Sequence, residues 1–453
     1  MKIFCVIVCA MTMVIGKLLT KRWVNLLTIF SGLYFGITFF ASLRLFGMYD
    51  SSDSVYILIM IGVFSFGLGY FVRCLIRQKR SVSLVIASRT KEFDSDKYVI
   101  REWVLKLGCM ILIIFTFNLL LGFVKLLLKG YSFYIIRNIY FGQGDIESSF
   151  SKSGIDVFLY LPFMHALLHT ASLGLFIKII NNKQKVYICI IFGMTLLYCI
   201  STGGRNMLFS IAIEVIVLYA VLKKTKMSSN LYNEFGIKEH IIKLWANKKI
   251  RNRLIMGVSI LGGGVFYLTF KRSLQTANEG QPFYFTIYKY FCGCIPYTDY
   301  YLNKFSTADY TYGNIALLSF VRPFTQVLKS FFGISFPASY ERAAGLVSSF
   351  YEVIRVSDQF RMNGFILVFF YFYYDFGFFS VILYSFIFGM VTCSIEKKVI
   401  YNPNLKTFEI YLFLLYLIVF SFTRWYLASL EIIIELYIIQ FLLLKKQRKG
   451  QNT

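Results

Sequence analysis

Residues 103–124 read WVLKLGCMILIIFTFNLLLGFV, an apolar run whose one charged position is Lys106. A helix rises about 1.5 Å per residue, so a run of this length crosses a hydrocarbon layer of ~30 Å. The run lacks the apolar–polar alternation of a membrane strand, which makes it a spanning helix. Comparable runs lie at about 1–16, 24–43, 55–72, 155–177, 186–202, 207–222, 254–270, 376–394, 408–423 and 426–444. The count is eleven, with ten to twelve tolerable because 364–394 has room for a re-entrant piece before its span. The chain is 57% hydrophobic and only 16% charged over 453 residues, more apolar than a soluble core of that length can use. The expected fold class is therefore all-α, a polytopic membrane helix bundle.

Charge orients the bundle. Segment 223–253 holds 9 Lys+Arg against 2 Asp+Glu, whereas 271–375 holds 9 against 7. Basic residues collect on the cytoplasmic side, so the first segment is expected inside and the second outside. The other basic clusters, Lys17–Arg22, Arg73–Arg80, Lys178–Lys185, Lys397–Lys406 and Lys445–Lys449, fit the cytoplasm without conflict if there are eleven spans. The N-terminus is then external and the C-terminus cytoplasmic. Three parts follow: 1–270 with spans one to eight, a large external loop at 271–375 with amphipathic helical segments, and 376–453 with three spans and a basic tail. The first run is read as a retained span, because no small-residue cleavage site precedes Lys17. The net charge of +25 is a topology signal, and no basic soluble module suggests nucleic acid as a partner.

Other chemistries find little support. Most of the nine cysteines lie in apolar runs, where Cys acts as a small hydrophobe. Cys292 and Cys294 are too close in sequence for an easy disulfide, and zinc-ligand spacing is missing. No Walker loop, dinucleotide fingerprint or nucleophile elbow occurs. Neither a cofactor nor a metal is expected.

The polar residues with most to say are arginines. The inner segment 223–253 uses seven Lys and two Arg, but the outer loop uses four Lys and five Arg: Arg272, Arg322, Arg342, Arg355 and Arg361. A guanidinium grips phosphate or carboxylate with two parallel hydrogen bonds, which an ammonium cannot do. These arginines suit an anion-handling cavity, or else lipid headgroups and the loop's own acids. Arg205 follows Gly203-Gly204 and opens the span 207–222, so it stands at an outward helix N-terminus, a favourable anion site; the plainer reading is a turn between spans. Arg424 heads a stripe with Glu431 and Glu435, seven and four residues further on. Ionisable groups at that depth face a wet cavity or a partner, so the stripe is either part of the site or glue between spans. Glu214 falls on the face of its helix opposite Arg205. His165 and His169 share one helix face with no carboxylate on their stripe. They read as neutral histidines hydrogen-bonded inside the bundle, or as a polar wall of the cavity. The loop's aromatic runs, as in Phe283-Tyr-Phe and Tyr300-Tyr301, suit interfacial anchoring or sugar stacking.

Thr202-Gly-Gly-Arg-Asn206 at an outer span start, the long outer loop, and Asn363 followed by Tyr373-Tyr-Asp-Phe-Gly377 carry a resemblance. The chain resembles the oligosaccharide repeat-unit polymerases, the O-antigen polymerase (Wzy) family, over about 200–390. It departs from that pattern in lacking a Thr after Asn363 and in having Ser380 where a second Gly is usual. The resemblance implies a GT-C-like glycosyltransferase of the bacterial plasma membrane, acting in O-antigen, capsule or related polysaccharide synthesis. Donor and acceptor would both be polyprenyl-pyrophosphate-linked oligosaccharides, with membrane lipid and a chain-length regulator and flippase of the same pathway as partners. Arg205, Arg424, Arg272 and Arg361 would stabilise the pyrophosphate leaving group. Asn206, Asp299, Arg322, Arg342, Arg355, Asn363 and Asp375 would bind substrate. The rival readings are a flippase for lipid-linked oligosaccharide and a membrane O-acyltransferase. The flippase would be expected to have shorter loops and pseudo-symmetric halves, and the acyltransferase a histidine in an outer segment.

Overall fold

A computed structural model of the protein describes residues 1–81, 98–141, 150, 153–177, 184–204, 206–224, 283–305, 310–334, 336–401 and 403–446. In chain order the helices are α1 (Lys2–Thr20), α2 (Leu26–Ser42), α3 (Asp53–Ser81), α4 (Glu102–Leu128), α5 (Phe133–Tyr140), α6 (Leu161–Gly174), α7 (Gln184–Thr202) and α8 (Asn206–Lys224). They continue with α9 (Phe283–Cys292), α10 (Cys294–Lys304), α11 (Leu318–Phe332), α12 (Ala338–Ser349), α13 (Val368–Phe376), α14 (Phe378–Tyr401), α15 (Leu405–Val419) and α16 (Leu430–Tyr437). Two short antiparallel pairs complete the list: β1 (Tyr98–Ile100) with β4 (Leu444–Lys446), and β2 (Ile354–Arg355) with β3 (Arg361–Met362).

The protein is mostly helical, and six helices among the described residues are long and apolar enough to cross a membrane. They are Lys2–Thr20, Asp53–Ile76, Glu102–Leu128, Asp156–Gly174, Lys185–Thr202 and Phe378–Tyr401; Leu26–Ser42 and Asn206–Leu222 are shorter apolar helices. Several expose the side chains that hydrocarbon would cover. On α1 these include Ile3, Phe4, Ile7, Met11 and Leu18, and on α4 Ile114, Phe117 and Leu121. The expected span at 254–270, the basic segment 225–253 and the loop start 271–282 lie outside the described residues.

The last expected span differs from its reading. Residues 426–444 form a 3₁₀ turn (Tyr426–Ala428), α16, and a π-helical turn (Ile438–Leu443) that ends in β4. The stretch before it, at the boundary between the runs 408–423 and 426–444, pairs with a distant segment. Just after α15, the Ser421 and Thr423 carbonyls accept from the amides of Val368 and Ile366 at 2.9 Å each. Backbone occupied this way cannot continue a helical ladder.

The chain divides into two compact units built from discontinuous segments. The first comprises 1–89, 282–397 and 414–433; the second comprises 90–281, 398–413 and 434–453. Within the first, α3 and α14 cross at backbone contact. A Cβ on Gly69 would meet the Phe386 carbonyl oxygen at 2.0 Å, and one on Gly389 would meet the Phe66 carbonyl oxygen at 2.0 Å. Small residues allow this approach, the packing expected where lipid gives no hydrophobic drive between helices. Within the second unit, α6 packs against α4, α7 and α8.

Candidate functional site

In the first unit, the segment read as an external loop folds largely as helices, α9 to α13, with the β2–β3 hairpin between α12 and α13. Asp375 organises it. Its carboxylate accepts from the amides of Ile315 and Ala316 at 3.1 Å each and from the Thr311 hydroxyl. Burial pushes this carboxyl above its ordinary range, against the opposing pull of those donors. The Trp425 indole donates to the Ala316 carbonyl at 3.1 Å, tying the exit of α15 to the same loop.

That tie positions Arg424. Its Nη1 donates to the Tyr351 hydroxyl at 3.1 Å. The guanidinium also lies over the rings of Tyr351 and Tyr426, 5.6 and 5.4 Å from their centroids, a cation–π geometry. Tyr351 is held from behind. The Tyr297 hydroxyl is 2.7 Å from the Phe350 carbonyl and 2.9 Å from that of Glu352, the two residues that flank it. Arg424 as a whole is partly exposed, yet its Nε is buried and has no hydrogen-bond partner. A buried donor left unmade costs about 1–3 kcal/mol, so this nitrogen is suited to an acceptor from outside the chain.

The other expected residues of this unit are dispersed. Asp299 is buried in α10, where it accepts from the Ser52 amide at 2.9 Å and from the Ser52 hydroxyl. Arg355 folds back on its own hairpin, donating to the carbonyls of Ser357 (3.3 Å) and Asp358 (3.0 Å). Arg361 is exposed opposite Arg355 in the register. Arg322 is exposed on α11, Arg342 is exposed on α12, and Asn363 is half-buried after β3. Arg205 and Arg272 lie outside the described residues.

In the second unit Asn206 is exposed at the first position of α8. The glycine pair before it makes the expected tight turn: Gly203 adopts φ +65°, and a Cβ there would meet Arg137 Cδ at 3.3 Å. Arg137, in the last turn of α5 and over the Phe141 ring at 5.1 Å, is thus a cation beside the Thr202–Asn206 motif. Nothing in sequence spacing links it to that motif.

Deeper in this unit lies a cluster of acids and imidazoles. His169 Nδ1 is 3.0 Å from Glu214 of α8, and its Nε2 is 2.9 Å from Glu435 of α16. His165 Nδ1 is 3.8 Å from the second oxygen of Glu435. Ser210 donates to Glu214 at 2.7 Å, and Thr170 to Glu409 of α15 at 2.9 Å. Both histidines and all three glutamates are at most 5% exposed. His169 is hydrogen-bonded inside the bundle, and the carboxylates absent from the histidine stripe arrive from three other helices. Among the described residues, no group of His, Cys, Asp and Glu has the arrangement of a metal site.

No protein-family model matches the chain, and no characterised protein or solved structure matches it.

Proposed function

We propose that this protein is a membrane glycosyltransferase that joins polyprenyl-pyrophosphate-linked oligosaccharide repeat units at the outer face of the bacterial plasma membrane. The observation that carries this reading is Arg424: a guanidinium framed by two tyrosine rings, with one buried N–H unused. In the reaction, a hydroxyl of the acceptor repeat attacks the anomeric carbon of the donor glycan. The anomeric C–O bond to the pyrophosphate breaks, the acceptor proton passes to a base, and negative charge grows on the departing pyrophosphate. A preorganised guanidinium in a water-poor setting stabilises that charge most where it develops. Arg205, in the motif that carries the family resemblance, is the second arginine assigned to this role. Asp375 is spoken for by three donors, so it acts here as a loop anchor and not as the base.

The test is purified protein in lipid with lipid-linked repeat units as donor and acceptor. Longer lipid-linked glycans with release of polyprenyl pyrophosphate are expected; movement of intact repeat units across the bilayer without growth would overturn the proposal. That second outcome fits the flippase reading, which draws support from the buried His169–carboxylate cluster, since ionisable groups inside spans commonly mark transport pathways.

A further inference from the structure

The crossing of α3 and α14 in the first unit brings two thiols together. The Sγ atoms of Cys74 and Cys393 are 3.3 Å apart, although the residues lie 319 positions apart in the chain. One thiol hydrogen-bonds the other. A disulfide bond is about 2.05 Å long, so the sulfurs need to close by roughly 1.2 Å to form one. Hydrogen bonds between the same two helices flank the pair. Arg73 Nε donates to the Ser394 hydroxyl at 2.6 Å, and Lys397 Nζ donates to the carbonyls of Cys74 at 3.0 Å and Arg73 at 3.5 Å.

The two thiols differ in access. Cys393 is fully buried, whereas Cys74 is partly exposed. The Lys397 ammonium, bonded to the Cys74 carbonyl, is a counter-ion close at hand for a thiolate, the form that attacks. The neighbouring acid Glu396 is engaged elsewhere, accepting from the Tyr70 hydroxyl at 2.9 Å and from the Leu26 amide at 3.1 Å. A cysteine among apolar side chains packs as a small hydrophobe. An accessible thiol held against a second, buried one is instead the arrangement of an attacking and a resolving cysteine.

We propose that Cys74 and Cys393 form a redox-active dithiol that closes into a disulfide between α3 and α14, with a small-molecule disulfide as oxidant. Cys74 gives up its proton, and its sulfur attacks one sulfur of the oxidant. The oxidant's S–S bond breaks, a mixed disulfide forms on Cys74, and the departing thiolate takes up a proton. Cys393 then loses its proton and attacks the Cys74 sulfur. The mixed disulfide breaks, and a second small thiol leaves with a proton. In all, the pair loses two protons and two electrons, and one oxidant disulfide becomes two thiols. The product is a covalent staple across the helix crossing. This inference is independent of the glycosyltransferase reading, because it uses none of the residues assigned to that chemistry.

Oxidised glutathione added to the full-length protein in lipid tests it, with the remaining thiols alkylated in denaturant and the peptides read by mass spectrometry. The expected product is a peptide pair linked through Cys74 and Cys393, absent from protein kept under reductant and lost again with dithiothreitol. Cys393→Ser should stop the reaction halfway, with glutathione retained on Cys74, and Cys74→Ser should leave Cys393 unmodified. Glutathione stably retained on Cys74 of the wild-type protein would overturn the proposal, because no second thiol then resolves it. So would full alkylation of both cysteines after oxidation, or a link from Cys74 to any other cysteine. These wild-type outcomes decide the matter even where a variant fails to fold.

Discussion

The two units handle charge in apolar surroundings in opposite ways. In the first, three ionisable groups are met by fixed dipoles: Asp375 by backbone amides and a hydroxyl, Asp299 by Ser52, and Arg424 by tyrosines. In the second, Glu214 and Glu435 meet the His169 imidazole, and Ser210 and Thr170 donate to Glu214 and Glu409. Fixed dipoles keep a group in one charge state and leave its remaining hydrogen-bonding capacity pointed at a ligand. Mutual pairing makes charge state a property of the whole cluster, so protons can move within it. The difference separates a guanidinium suited to holding an anion from a set of acids and an imidazole held by hydrogen bonds to one another.

The largest effect that would break this contrast concerns His169. Replacing it with Leu leaves Glu214 and Glu435 without their shared donor, and removing one partner of a buried charge pair costs about 3–5 kcal/mol. The expected outcome is a large loss of thermal stability in detergent, read by the monodisperse fraction after heating. Wild-type stability would show that water, and not His169, satisfies these acids. The next effect is on chemistry. Arg424→Ala should slow chain growth about 10²–10³-fold, as for loss of one preorganised donor. Arg424→Lys should recover only part of it, since the planar fork is lost. Growth rates of membrane-verified variants decide this, and a normal rate in Arg424→Ala would reduce Arg424 to a cap on the α15 exit.

How much of this is legible in the sequence depends on distance along the chain. Long apolar runs announce span helices one at a time, because periodicity and length are local properties, and α1 to α4 and α6 to α8 follow those runs closely, whereas the short α5 answers to none of them. The gap between the runs 408–423 and 426–444 is legible, but the pairing that stabilises it is not. It consists of hydrogen bonds to Ile366 and Val368, more than fifty residues away. Arg424 stands out as a lone charge in an apolar stretch, but Tyr351, which receives its hydrogen bond, is one aromatic among many. His165 and His169 are visible as a pair on one face, whereas Glu214, Glu409 and Glu435 come from three other helices. A single sequence orders residues around one helix and says nothing of which helices meet. Buried acids in separate apolar runs are nevertheless a signal: groups that costly need partners, and the histidines are the available ones.

Asp375 sharpens the contrast from the other side, with a smaller effect. Asp375→Ala leaves the amides of Ile315 and Ala316 without their acceptor, at about 1–3 kcal/mol for unsatisfied buried groups. Loss of stability with increased proteolysis around 310–316 is the expected outcome. Asp375→Asn keeps one acceptor oxygen and should cost less. Equal loss in both variants would mean that the negative charge, and not hydrogen-bond geometry, holds the loop.

The smallest effect lies on the exposed flank of the Arg424 rim. Lys304 Nζ is 3.0 Å from Glu352, and both side chains are well exposed, at 38% and 50%. The hydrogen bond to Glu352 raises the Lys304 ammonium above its ordinary range. A raised lysine contributes stability that is fully present below its unfolded value of about 10.4 and fades as pH rises through the higher folded value. At neutral pH the pair is therefore fully formed, but solvent and salt screening limit an exposed pair to about 0.2–1 kcal/mol. Lys304→Met should change stability by no more than that near neutral pH, and by less at high salt. The difference from wild type should vanish at pH well above 10, where both lack the charge. Glu352 follows Tyr351, and its carbonyl is near the Tyr297 hydroxyl, so the backbone under Tyr351 has a second support. Chain growth in Lys304→Met should accordingly stay within about threefold of wild type, a change worth well under 1 kcal/mol. A loss approaching that of Arg424→Ala would show that the surface pair, and not Tyr297, sets the position of Tyr351 against the guanidinium.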